Sequence, residues 1–177
     1  MEEVVTRIEL VRHAQAQARE GWGDRPDRDR PLTAAGQAQA EALARAILDE
    51  GPVDACYASP TLRCAQTLEP LLAAAGGSLL EEEALAEAPT VPSTDRGNAW
   101  VASAWLGGRA LGFVDRLTAE LAGRRIVACS HGDVVPALLA ALAGRDGLVL
   151  PDVGLHKGAR ISLRFRDGRC VEARRHP

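Results

Sequence analysis

Two histidines follow apolar segments that are typical of buried strands. Residues 4–11 are largely apolar and β-branched and lead into Arg12 and His13, while residues 126–129 lead into Ser130 and His131. The carboxyl ends of parallel strands share one crevice, so the two histidines can meet although 118 positions separate them. Two imidazoles beside an arginine suit an anionic substrate that is attacked at phosphorus.

A third segment adds a cation to the same predicted crevice. Ser59-Pro-Thr-Leu-Arg-Cys-Ala-Gln-Thr67 follows the next predicted strand, so Arg63 belongs to the first turns of a helix. Helix amino ends and guanidinium groups both favour phosphate, the latter through a planar two-pronged fit. These residues therefore predict a pocket in which one imidazole attacks while two arginines and a second imidazole hold the phosphoryl oxygens.

The elements that must position these residues alternate between strand and helix along the chain. Strands are predicted at 4–11, at 53–58 and at 125–129, with a short strand within 79–85 and a terminal hairpin at 161–165 and 169–172. Helices are predicted at 34–48, 60–75, 109–121 and 134–142. Loops are predicted at 14–31, at 88–108 with up to one helical turn, and at 144–158. This alternation predicts an α/β fold, a three-layer α/β/α sandwich around a mostly parallel sheet.

Composition narrows the class of protein further. With 177 residues, 46% of them hydrophobic, the chain fits one domain spanning residues 1–177. A formal charge of −3 argues against nucleic-acid binding, and the apolar runs are too short for a membrane span or signal peptide. Cys56, Cys64, Cys129 and Cys170 show no C-x-x-C spacing and fit small core residues of a reduced, cytoplasmic protein.

Each assignment has a less specific alternative. Arg12-His13 alone also fits a strand-end pair with surface hydrogen bonds, and Arg63 alone fits a solvated helix residue. The alternation of Arg25, Arg28 and Arg30 with Asp24, Asp27 and Asp29 favours a solvated mixed-charge loop, from which one arginine could reach the substrate. A tryptophan in a loop can stack on a base or peptide but more commonly covers the core, and both interpretations apply to Trp22, Trp100 and Trp105. We interpret His156 and His176 as solvated residues of a loop and of the C-terminal tail.

Four segments together resemble the histidine phosphatase superfamily, which includes phosphoglycerate mutases. They are Leu-Val-Arg-His-Ala at 10–14, Arg-Pro-Leu-Thr-Ala-Ala-Gly at 30–36, the segment at 59–67, and Ser-His-Gly at 130–132. The resemblance implies a phosphoglycerate mutase-like fold, with His13 as the nucleophile that forms a phosphohistidine. It also implies that Arg12, Arg63 and His131 bind the phosphoryl group.

Two branches of the family are similar to different parts of the chain. Ala14 and the compact Arg-Pro-Leu-Thr segment resemble the small SixA-like branch of phosphohistidine phosphatases. The segment at 130–136 and His-Lys-Gly-Ala at 156–159 are similar to histidine phosphatase domains fused to MutT-type hydrolases. The resemblance also implies a general acid after the third strand, where Glu87 matches and Glu81, Glu82 and Glu83 lie close by.

We therefore predict a metal-independent phosphatase that hydrolyses a phosphomonoester, either a small metabolite or a nucleotide, through a phosphohistidine on His13. No cluster has metal-ligand spacing and no cofactor is expected, because arginine and histidine supply the positive charge. The alternatives are a SixA-like phosphohistidine protein phosphatase and a catalytically weak phosphate-recognition module. The expected partner is a small phosphorylated substrate or a phosphoprotein, not nucleic acid or membrane; the sequence leaves the oligomeric state open.

Overall fold

The fold is built on a six-stranded sheet, seen in a computed structural model that describes residues 4–88, 99–150 and 154–176. The strands are β1 (Thr6–Arg12), β2 (Ala55–Ala58), β3 (Leu79–Glu81), β4 (Arg125–Ser130), β5 (Arg160–Arg166) and β6 (Arg169–Arg175). Their order across the sheet is β3-β2-β4-β1-β5-β6. The first four are parallel, and the β5–β6 hairpin continues the sheet in antiparallel fashion beside β1.

Four helices cover the two faces of this sheet. They are α1 (Ala34–Leu48), α2 (Leu62–Ala75), α3 (Ala99–Glu120) and α4 (Val134–Asp146). Helices α1 and α2 pack together on one face, and α3 and α4 pack together on the other. The predicted three-layer sandwich with a mostly parallel sheet is therefore confirmed.

The two faces of the central strands follow the alternation expected of a pleated sheet. On β4, Ile126 and Ala128 face α3 and α4, whereas Val127 and Cys129 face α1 and α2. All of these side chains are buried, which is typical of parallel strands covered on both faces.

The predicted loop at 88–108 is wrong over its second half, because α3 already begins at Ala99; residues 89–98 lie outside the described part. The sequence of this helix shows no clear hydrophobic period, because α3 contacts α4 through the backbone of a glycine. A Cβ on Gly107 would lie only 2.6 Å from the Ala137 carbonyl oxygen of α4. Trp100 and Trp105 are 68% and 42% exposed on this helix, so the prediction that they cover the core is wrong.

Smaller differences concern the ends of two elements. Helix α4 extends to Asp146, past the predicted end at 142, and Gly147 then ends it in a left-handed conformation. Strand β3 is the short strand predicted within residues 79–85; it ends at Glu81, and residues 83–85 form a 3-10 turn. The four cysteines are buried free thiols in the core, as predicted. None of the helices in the described ranges is long and apolar enough to cross a membrane.

A buried ionic cluster on Glu9 ties the sheet to the end of α1. One Glu9 carboxylate oxygen accepts from Arg125 Nη2 at 3.0 Å, and the other accepts from Arg160 Nη1 at 2.8 Å. Arg125 Nη1 also donates to the carbonyl oxygen of Ile47 at 2.8 Å. Glu9 therefore neutralises two arginines that belong to different strands and are themselves almost fully buried.

We expect Glu9→Gln to lower the free energy of unfolding by about 3 kcal/mol, because two buried guanidinium groups lose their buried carboxylate and are left with the 38% exposed Glu50. Urea denaturation measures this loss. The control is Glu172→Gln, which removes an exposed partner of Arg164 and should cost less than about 1 kcal/mol. Equal losses for the two variants would contradict a structural role for the buried cluster.

Candidate active site

The pairing of β1 with β4 places the two histidines side by side. The strands run parallel with Arg12 opposite Ser130, and the backbone N–H of His13 donates to the Ser130 carbonyl at 2.9 Å. The rings of His13 and His131, the residues that follow, have centroids 5.3 Å apart and are inclined by 63°. The structure thus brings these two predicted residues together in one buried site.

The hydrogen bond made by His13 fixes which of its nitrogens is free. Its Nδ1 lies 2.8 Å from the carbonyl oxygen of Ala14. Because a carbonyl only accepts, Nδ1 carries the proton and the lone pair of the neutral ring is on Nε2. Burial lowers the pKa of His13 to about 4, and the charges of His131 and Arg63 add to this effect. His13 is therefore neutral near pH 7.

Arg63 lies at the centre of the site, fully buried at the start of α2. Its Nη1 donates to the Asp27 carbonyl oxygen at 2.9 Å and lies 3.1 Å from the Asp27 carboxylate. Its Nη2 donates to Glu87 Oε2 at 2.6 Å. One guanidinium thus joins α2 to two carboxylates from separate loops.

His131 contacts the same cluster from the end of β4. Its Nε2 lies 2.7 Å from the Ser59 hydroxyl oxygen. Its Nδ1 lies 3.5 Å from Arg63 Nη2 and 3.6 Å from Glu87 Oε1. This second ring nitrogen therefore faces the same space as Arg63 and Glu87.

Among the four neighbouring glutamates, Glu87 is the one whose carboxylate contacts Arg63. The Ser130 hydroxyl donates to the Leu85 carbonyl at 2.7 Å, which fixes the chain just before Glu87. Glu82 instead pairs with Arg116 on α3, while Glu81 and Glu83 are exposed. The structure therefore places Glu87, of the alternatives considered, beside Arg63 and His131.

Arg12 approaches the site along the backbone of Gly132. Its Nη1 donates to the Leu155 carbonyl at 2.6 Å. A Cβ on Gly132 would lie only 2.6 Å from the Arg12 guanidinium carbon, so glycine is what allows this close approach. The Nε atoms of Arg12 and Arg63 are buried, with no hydrogen-bond partner within the described ranges of the chain.

Sequence reasoning missed the contribution of Asp27 and Arg30. Arg30 is 8% exposed and donates from Nε to Asp27 Oδ1 at 2.9 Å, so the solvated-loop interpretation is wrong for this pair. Burial raises the pKa of Asp27, but the hydrogen bond from Arg30 and the charges of Arg63, Arg30 and Arg19 outweigh it and hold that pKa below its usual range. The available signal was the Arg-Pro-Leu-Thr segment at 30–33, in which Arg30 precedes Thr33, the residue that caps α1.

Two hydroxyl residues of the predicted motif also have roles that the sequence did not reveal. Ser59 contacts His131, and Thr67 Oγ1 accepts from the backbone N–H of Ala14 at 3.0 Å, next to His13.

His176 lies outside the site but is not a solvated tail residue, because its Nε2 is 2.7 Å from the Ser162 hydroxyl. His156 is exposed, as predicted.

Taken together, the site offers an unprotonated imidazole nitrogen beside two guanidinium groups and a second imidazole. That combination suits the binding of a phosphoryl dianion and attack on its phosphorus. In the part of the chain that the structure describes, no three His, Cys, Asp or Glu side chains form a group that could hold a metal ion.

Comparison with known proteins agrees with this chemistry. A relative from Mycolicibacterium smegmatis, an 8-oxo-(d)GTP phosphatase, is 32% identical over 167 residues, which are 93% of this chain and 46% of the relative. This chain therefore spans about half the length of that protein.

Solved structures show the same fold. The protein histidine phosphatase SixA, complexed with tungstate, has a TM-score of 0.68 at 19% identity, with 96% of each chain covered. A mycobacterial glucosyl-3-phosphoglycerate phosphatase with VO3 has a TM-score of 0.69 at 20% identity, with 97% of each chain covered. The family model of the histidine phosphatase superfamily (branch 1) matches residues 8–91 and 102–176. The chain therefore belongs to the histidine phosphatase superfamily.

Proposed function

We propose that this protein is a metal-independent phosphoric monoester hydrolase that works through a phosphohistidine on His13. The observation that carries the proposal is the geometry of His13: its Nδ1–H is held by the Ala14 carbonyl, so the lone pair on Nε2 is free in a cationic site. A low pKa, about 4, keeps that lone pair available at neutral pH.

The reaction consists of two displacements at phosphorus. In the first, His13 Nε2 attacks, the phosphorus–oxygen bond to the leaving group breaks, and a carboxylic acid protonates the leaving oxygen. In the second, water attacks the phosphohistidine, its proton goes to the same carboxylate, and the phosphorus–nitrogen bond breaks to release phosphate. Glu87 is proposed for this proton transfer, because its carboxylate lies between Arg63 and His131.

Arg12, Arg63 and His131 are proposed to hold the phosphoryl oxygens. Unpaired buried N–H groups are costly, and the Nε atoms of both arginines would gain a partner when an anion binds. A bound phosphoryl dianion also competes with Glu87 for Arg63.

The proposed substrate is a small phosphorylated metabolite or a nucleotide. We also propose that the chain forms one domain and that it works in a reducing, cytoplasmic compartment. The name of the M. smegmatis relative supports a nucleotide, although that protein is more than twice as long as the shared region. The four buried free thiols support the compartment. A phosphohistidine protein substrate is the competing hypothesis.

The first prediction concerns the nucleophile. His13→Ala should abolish hydrolysis of p-nitrophenyl phosphate while its circular dichroism stays native, because it removes the nitrogen proposed to attack phosphorus. Rapid quench of the wild type should trap an acid-labile, base-stable phosphoryl group on His13, with and without a strong chelator. An alanine variant that keeps most of its activity, or a wild type that a chelator inactivates, would refute the mechanism.

NMR titration of the same histidine tests its electrostatics. The imidazole of His13 should titrate near pH 4 in the folded protein, against about 6.5 in the unfolded chain. Between these values the unfolded state binds more protons, so stability should fall as the pH falls through this window, and His13→Ala should reduce that fall. A folded-state value at or above 6.5 would contradict the buried neutral imidazole.

The second prediction uses the close contact at Gly132. Gly132→Ala should push the Arg12 guanidinium aside and lower kcat/KM by about 100-fold, equivalent to about 2.7 kcal/mol of transition-state binding. The unfolding free energy should change by less than about 1 kcal/mol, because the end of a flexible side chain can move. Gly112→Ala, where a Cβ meets open space on α3, is the control and should keep full activity.

The third prediction concerns proton transfer by Glu87. Glu87→Gln should slow alkyl phosphates far more than p-nitrophenyl phosphate, because only a basic leaving group needs the proton in the transition state. Glu83→Gln, an exposed neighbour, should leave both rates unchanged. Equal slowing across a leaving-group series would assign the proton to another group.

A further inference from the structure

We propose that Trp22 and Arg25 form a stacking platform for the aromatic base of a nucleotide substrate. This inference rests on the proposed phosphatase activity and names the leaving group that the site selects. The platform belongs to the loop between β1 and α1, which also carries Asp27, the partner of Arg63.

The platform is built as a stack before any substrate binds. The Arg25 guanidinium lies 3.6 Å from the centroid of the Trp22 ring, and its Nε donates to the Trp22 carbonyl at 2.8 Å. The Trp22 indole N–H is satisfied by the Pro26 carbonyl at 3.0 Å. The indole N–H is paired and Arg25 covers one face of this half-buried ring, so a base would stack on the other face of the ring or on the outer face of the guanidinium.

A short path of bonds connects this platform to the catalytic centre. The carbonyl that holds the Trp22 indole belongs to Pro26, and the next carbonyl, that of Asp27, accepts from Arg63 Nη1 at 2.9 Å. Standard bond lengths along this path put the indole nitrogen no more than about 13 Å from the guanidinium. A ribose between a phosphate on Arg63 and a base on Trp22 can bridge such a distance.

The loop is held in place on both sides of the platform. Arg30 Nη1 donates to the Gln17 carbonyl at 2.6 Å, and Gln17 N–H donates to the Pro31 carbonyl at 2.9 Å. The backbone N–H of Trp22 itself donates to the Arg19 carbonyl at 3.0 Å. A tryptophan held this way loses little further freedom on binding, which favours recognition by stacking.

A second tryptophan–arginine stack provides the matched control. On α3 the Arg109 guanidinium lies 4.3 Å from the Trp105 ring centroid, and Arg109 bonds the Glu83 carbonyl rather than a partner of Arg63. Trp105 therefore shares the local chemistry of Trp22 without the Asp27 connection. Substituting each tryptophan in turn separates a loss of stacking near the site from a loss of an exposed aromatic ring.

The test compares kcat/KM for adenosine and guanosine 5′-phosphates and diphosphates with kcat/KM for glycerol 3-phosphate. We expect Trp22→Ala to lower the nucleotide values at least 10-fold, mainly through KM, and to change the glycerol 3-phosphate value less than 2-fold. Trp22→Phe should keep the nucleotide values within about 3-fold of the wild type, and Trp105→Ala should match the wild type on every substrate. Equal losses on nucleotide and glycerol substrates, no loss at all, or a loss on Trp105→Ala instead would overturn the platform.

A binding measurement separates this proposal from the phosphatase activity. In a His13→Ala background that also carries Trp100→Phe and Trp105→Phe, Trp22 is the one tryptophan left, and saturable quenching of its fluorescence by nucleotide but not by glycerol 3-phosphate is expected. If the wild type turns over glycerol 3-phosphate but no nucleotide, and nucleotide does not quench the single-tryptophan variant, the platform is refuted and the phosphatase stays intact. A wild type without turnover of any phosphate would refute the phosphatase instead.

Discussion

The parallel pairing of β1 with β4 is the constraint on which the site depends. Arg12 lies opposite Ser130 in this register, so the residues that follow, His13 and His131, leave the sheet at the same edge. Strand β2 pairs with the other side of β4, which brings Ser59 and the start of α2 to that edge as well. Because side chains alternate between faces with a period of two, a slip of one residue would turn His131 away from His13. The chemistry therefore depends on backbone hydrogen bonds in the core as much as on the groups at the surface.

The residues at strand ends are the ones that the sequence predicts well. His13, His131 and Arg63 each follow an apolar segment, and a parallel sheet brings such positions together whatever their separation in sequence. The first half of α3 gives no such signal, because its contact with α4 uses the backbone of Gly107 in place of a periodic apolar side chain. The sequence does not reveal Asp27 for another reason. The alternating charges around it resemble those of a solvated loop, and its partner Arg63, which distinguishes it, lies 36 residues away. The role of each site residue stays a prediction until the variants are measured.

Two arginine–carboxylate clusters in this fold have opposite physical characters. At the centre of the cluster on Glu9 is a carboxylate that is 2% exposed and bonds two buried arginines, an arrangement suited to holding strands together. Glu50, which is 38% exposed, pairs with the same two arginines at the rim of this cluster. The cluster on Arg63 has carboxylates that are 37% and 34% exposed, at Asp27 and Glu87. Because these acids are partly exposed, we propose that a phosphoryl group displaces them from Arg63, whereas Glu9 is enclosed by its arginines. In this proposal the same kind of ion pair stabilises the fold in one place and provides an anion site in the other.

In the mechanism proposed above, the chemistry and the choice of substrate belong to different parts of the chain. The proposed attacking and phosphate-holding groups lie at strand ends and at the start of α2, which the sheet fixes in position. The loop between β1 and α1 reaches the same site but is anchored separately. Its start at Gln15 packs against Gly36 of α1 so closely that a Cβ on this glycine would overlap the Gln15 carbonyl oxygen, and at its end Thr33 caps α1. Between its anchors this loop presents exposed residues such as Arg19 and Arg25. Substitutions there can change which leaving group fits while His13 and Arg63 stay where the core holds them, and this separation is how one phosphoryl-transfer site can serve unrelated substrates.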